Sequence, residues 1–197
     1  NYSNRLLDKN SHILDTEEDG VFLVRVNGSE YSIAEYIDNE LDSTKNKWNV
    51  SDNREIAILV KNERTQKIID ESLEVPHRVI KTTPLDMDLN PRSRLYTLLL
   101  RFYFDDSLAF MSVIDEYVEF GSLTIYERKR LIEESLLVKS IDEMEVDQLS
   151  IHFKTIADIL LPKIQDGTSL QKLNKILNNE KDLESYKPLS SNEVQLM

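Results

Sequence analysis

Apolar residues follow two patterns along this chain. Up to about residue 81, short β-branched runs alternate with helical repeats; beyond it, nearly all apolar positions recur at helical spacing. Residues 56–60 (IAILV) have the composition of a strand buried on both faces. A helix is predicted directly after them. Asn62 can cap its first turn, Glu63 complements the positive end of the helix dipole, and Ile68, Ile69 and Leu73 repeat on one face. Pro76 closes that helix, and residues 77–80 (HRVI) predict the next strand. Strand, helix and strand joined by short loops predict a right-handed βαβ unit, in which ligands meet the loop at the carboxyl end of the first strand. Here that loop is Lys61, Asn62, Glu63 and Arg64.

Before this unit, residues 2–8 read as the end of a helix, 16–20 as an acidic turn and 21–26 (VFLVRV) as a strand. Residues 29–42 predict a helix with Ile33, Ala34, Ile37 and Leu41 on one face, followed by a polar loop over 44–53 that carries Trp48. After it, TTPLDMDLNP (82–91) holds two prolines among turn formers and reads as a hinge or domain boundary. Helices are then predicted over 92–104, 107–120, 124–140, 147–165 and 169–178. Asp105 and Asp106 can cap the second of these, and Thr124 with Glu127 has the spacing of a capping box for the third. Residues 179–192 read as a loop, and 193–197 (EVQLM) as the start of a strand. A chain that begins without Met and closes inside a strand predicts a piece of a longer protein.

Composition narrows the function classes. The 197 residues and 40% hydrophobic content suffice for a real core. Without cysteine there is neither a disulfide framework nor a thiolate metal site, which fits a reducing, cytoplasmic location. No apolar run approaches the roughly 20 residues of a membrane span, and residues 1–10 are too polar for a signal peptide. No membrane partner is expected. The net charge of -12 argues against DNA binding by bulk electrostatics, so any DNA contact must be local. Four glycines and no GxxxxGK[ST] pattern leave no phosphate-cradling loop, so this chain alone binds no ATP.

Each candidate group has a structural reading beside its chemical one. Lys61, Asn62 and Arg64 read as a solvated helix entry or as a DNA-backbone contact. His12, His77 and His152 lack ligand spacing and are expected to be structural, with no metal site. Asp105 and Asp106 fit caps better than acid/base chemistry, and Tyr96, Phe102, Tyr103, Phe104 and Phe110 fit helix packing better than base stacking. Arg128, Lys129 and Arg130 are the densest basic cluster of the helical region, a solvated face or a duplex contact.

The stretch EIAILVKNERTQKIIDESLEVPHRVIK (55–81) is similar to the segment that opens the second motor domain of UvrD/Rep-like superfamily 1 DNA helicases. That segment is a buried strand, an Arg-containing loop, a helix and a Pro-(Tyr/His)-Arg-(Ile/Val) strand. Residues 33–42 resemble the preceding helix of the family, FYFDDSLAFMSVIDE (102–116) resembles its N-x-x-D-D-x-A-(F/L) motif, and VQLM (194–197) matches the residues before its T-x-H-x-x-K-G-L-E-F motif. Within the superfamily, TTPLD (82–86) and NYSN (1–4) resemble the helicase subunit of Gabija-type antiphage systems.

The resemblance implies an α/β chain: a partial RecA-like parallel-sheet domain over residues 1–85, rejoined by 190–197, with an all-helical 2B-type subdomain inserted over 86–189. It also implies a parent chain that hydrolyses ATP with Mg to move along single-stranded DNA and open duplex DNA, with the helical insertion meeting duplex or a protein partner. The family's ATP-contacting Arg and Walker motifs are expected upstream of Asn1, so no catalytic residue lies in this chain. By resemblance, the DNA contacts fall to Lys61, Asn62 and Arg64. Lys61 stands where the family has Arg, which keeps the charge and loses the planar fork, and Glu63 stands where Asn is usual and would repel phosphate.

Overall fold

The computed structural model describes residues 24–118 and 123–197. The expected helix end at 2–8 and turn at 16–20 lie outside the described residues, as does most of the expected strand at 21–26. Val24 to Val26, its described part, are not in a strand. The fold is mixed and mostly helical, with one small three-stranded parallel sheet. The chain forms two compact units: one runs up to His77 and regains Asn192–Leu196, and the other is Arg78–Ser191 with Met197.

In the first unit, α1 (Glu30–Trp48) packs on α2 (Glu63–Ser72). Ala34 and Leu41 supply the buried face of α1, and Ile69 and Leu73 that of the α2 side. Ile33, expected on that face, is exposed instead. The helix also runs on through the expected polar loop to Trp48, because nothing there breaks it until Asn49 takes a left-handed conformation (φ 54°). Asp38 fixes the turn beyond α2 by accepting from the backbone amides of Glu74 and Val75 at 3.0 and 2.9 Å.

The sheet is ordered β1-β3-β2, where β1 is Ala57–Ile58, β2 is His77–Val79 and β3 is Val194–Leu196. The last strand lies between the other two and pairs in parallel with β1, Ala57 opposite Gln195 and Ile58 opposite Leu196. Val194 and Leu196 are fully buried. Of the run at 56–60, expected to be buried on both faces, only Ala57–Ile58 form the edge strand, and half-buried residues alternate with exposed ones: Ile56, Ile58 and Val60 are half-buried, Ala57 and Leu59 are exposed, and Leu59 is 76% exposed. An edge strand has one neighbour, so its apolar composition does not by itself bury it. Asn53, in a single 3-10 turn before β1, ties the return strand in place. Its Nδ2 donates to the Asn192 carbonyl and its Oδ1 accepts from Lys45 Nζ, both at 2.7 Å.

The second unit is organised around α3 (Pro91–Phe104), of whose residues Leu95, Tyr96, Leu99, Leu100, Phe102 and Tyr103 are buried. Asn90 caps it by accepting from Arg92 N, and Pro91 takes the first helical position, where a missing N–H costs nothing. Around it lie α4 (Phe110–Ile114), α5 (Ile125–Ser140), α6 (Leu149–Leu160), α7 (Ser169–Leu177) and the one-turn α8 (Glu180–Leu183). The expected capping box is present: Thr124 Oγ1 accepts from Glu127 N at 3.2 Å, and Glu127 Oε2 accepts from Thr124 N at 2.8 Å.

Three helical boundaries differ from expectation. Asp105 accepts from the Ser107 amide and hydroxyl, which makes a local turn, and α4 starts only at Phe110. The helix expected to reach 165 stops at Leu160, since Pro162 disfavours helical geometry in Leu161 before it. The expected loop over 179–192 contains α8 and a 3-10 turn whose Tyr186 is buried. The proline-rich stretch at 82–91 is anchored at both ends of its turn: Thr83 donates from N and Oγ1 to Asp86, its hydroxyl meets Tyr186, and Leu85 is fully buried.

Asp88 follows that turn and accepts from Lys172 Nζ, the Asn90 amide and Ser93 Oγ. The Lys172 hydrogen bond, aided by the Asn90 amide, holds its carboxyl down at about 2 against the usual 3.8. A carboxyl whose folded pKa is depressed stabilises the fold above its unfolded pKa, and that stability is lost as pH falls through the folded value. Asp88→Asn should therefore be less stable than wild type at neutral pH. The difference should shrink in acid denaturation scans between 3.8 and about 2.

Candidate nucleic-acid contact site

The loop named from sequence sits where β1 ends and α2 begins. Asn62 is the N-cap of α2, with its Oδ1 accepting from Thr65 N at 2.9 Å and its carbonyl accepting from Gln66 N at 3.0 Å. The first amides of any helix have no partner within it, so those of Glu63 and Arg64 end the helix with partial positive charge. Lys61 and Arg64 are exposed and make no hydrogen bond or ion pair among the described residues. The carboxyl end of β3 lies close by, since Gln66 Nε2 donates to the Leu196 carbonyl at 3.4 Å.

This geometry brings together two free cations and a helix N-terminus at the carboxyl end of a parallel sheet. It can hold a phosphate oxygen as a point contact. Asn62 is engaged in capping, so its side-chain oxygen is committed to the helix. Glu63 is exposed beside the cations and opposes an anion. The loop carries no nucleophile with an adjacent base.

The other sequence candidates divide cleanly. Tyr96, Phe102 and Tyr103 are buried in the helical core, with Phe104 and Phe110 packed against it, so none presents a free ring face for a base. His77 lies between the Val75 carbonyl (2.9 Å) and Asp70 (3.0 Å), and His152 contacts Glu134 at 2.7 Å; His12 lies outside the described residues. No group of His, Cys, Asp or Glu among the described residues could hold a metal ion. Lys129 forms an exposed i,i+4 pair with Glu133 at 3.7 Å, and Arg130 pairs at 3.8 Å with Glu134, whose side chain is mostly buried against His152.

Two arginines have roles that the sequence pattern does not disclose. Arg78 of β2 donates to the carbonyls of Lys187 (3.0 Å) and Pro188 (3.1 Å), holding the segment after α8. Arg92 is buried in the first turn of α3, with Nη1 at 2.7 Å from Asp158 and 3.1 Å from Asp166 and Nη2 donating to the Leu161 carbonyl. The acidic residues it meets, Asp158 and Asp166, lie more than 60 positions further along the chain. Among the described residues no helix is long and apolar enough to cross a membrane.

No family model matches the chain, and no curated protein is significantly similar to it.

Proposed function

We propose that this chain is part of an ATP-dependent DNA helicase or translocase of the UvrD/Rep-like superfamily 1 type. In this reading, residues 1–85 with 190–197 belong to the second RecA-like motor domain and 86–189 are a 2B-type helical insertion. The observation that carries it is the return of β3 into the sheet between β1 and β2, which sets the Lys61–Arg64 loop at the carboxyl ends of parallel strands. That is where an open α/β sheet places its ligand. The ordered sequence motifs give the ligand its class, single-stranded DNA. ATP and Mg belong to the parent chain: the residues here do not fit a nucleotide, since no glycine-rich loop precedes a Lys-Ser/Thr pair. The working location in this reading is the cytoplasm.

The contribution of this chain to the motor is then scaffold and a minor backbone contact. Lys61 and Arg64 meet phosphate as point charges, while Asn62 holds the helix start that aims them. The test is ATP hydrolysis by the full-length protein with and without single-stranded DNA, in wild type and in Lys61→Ala. DNA should stimulate hydrolysis, and the variant should need more DNA, with the slope of log affinity against log salt reduced by about 1. The 197-residue chain alone should hydrolyse no ATP. A full-length protein without DNA-stimulated hydrolysis overturns the motor reading; a normal Lys61→Ala overturns only the contact.

A second reading is an interaction module, an acidic helical domain on a degenerate RecA-like half that docks a protein. Glu63 beside the exposed Lys61 and the net charge of -12 favour it. Absence of DNA binding by the full-length protein at low salt would move the assignment there.

A further inference from the structure

We draw no further inference here: the strongest candidate, the outward apolar face of α5 with Ile125, Ile132 and Leu136, is interrupted by Lys129 and bordered by cations that Glu133 and Glu134 already pair, and nothing in the structure shows what covers it.

Discussion

Phe153→Ala should lower the unfolding free energy of the helical unit by about 4 kcal/mol, the cost of removing a buried aromatic side chain and leaving a cavity behind it. Phe153 sits near the middle of α6, is fully buried, and belongs to the same core as Tyr96, Leu99, Leu131 and Leu173. These come from α3, α5 and α7, so the ring's loss is felt by four helices at once. Close packing prevents any one of them from collapsing fully into the space. Domains are stable by about 5–15 kcal/mol in all, so the variant should melt far earlier or fail to accumulate. Urea denaturation followed by far-UV circular dichroism measures it. The chain has two compact units, and the loss should fall on the transition of the larger helical one. Ile151→Ala, two residues away but 67% exposed, is the control and should change stability by less than about 0.5 kcal/mol. A Phe153→Ala loss below about 1 kcal/mol would mean that α6 does not pack as described.

Arg92→Met should cost about 3 kcal/mol for a different reason: it breaks a buried charged group from its partners. The Arg92 side chain is 5% exposed, and it holds the end of α6 and the segment before α7 against the start of α3 through Asp158, Asp166 and the Leu161 carbonyl. Removing it leaves Asp166, 18% exposed, with the Tyr96 hydroxyl as its remaining neutral donor. The cost is set near the lower end of the usual range because Asp158 is 45% exposed and keeps Lys154. Burial alone would raise the Asp158 carboxyl, yet hydrogen bonds from Lys154 and Arg92 outweigh it and hold it below the usual range. Its contribution is thus present at neutral pH and fades in acid. Arg92→Lys should recover less than half of the loss, because a point charge cannot reach both carboxylates and the carbonyl as the planar fork does. Full recovery by lysine would show that charge alone matters there. Raising salt to 1 M should weaken the wild-type contribution little, since a buried pair is poorly screened.

Local structure was the legible part. The capping box at Thr124 and the Asn62 cap both depend on neighbours within one helical turn. Where local reading failed, a competing local bond or a missing breaker explains it. Asp105 spends its carboxylate on the Ser107 turn and delays α4, and α1 continues through a polar stretch that lacks Gly or Pro. For the site, the position of Lys61, Asn62 and Arg64 at a strand-to-helix turn was readable. That Lys61 and Arg64 find no partner among the described residues was not, because it depends on which groups the rest of the chain brings within reach.

By itself the sequence determined where the longer helices lie, the caps at Asn62 and Thr124, the places of the three short strands and the apolar content of the second half, all set by interactions between residues a few positions apart. Only the tertiary structure decided which strand is central. IAILV at 56–60 carries the composition of a buried strand yet lies at the edge, while the three residues of β3, about 137 positions further on, take the buried place between β1 and β2. It decided likewise that Arg92 is inside, that Leu85 anchors a proline-rich turn, and that α5 turns its larger apolar stripe outward. The physical reason is common to all four. Burial is a property of what arrives from elsewhere in the chain, and neither the periodicity nor the composition of a segment records its neighbours in space.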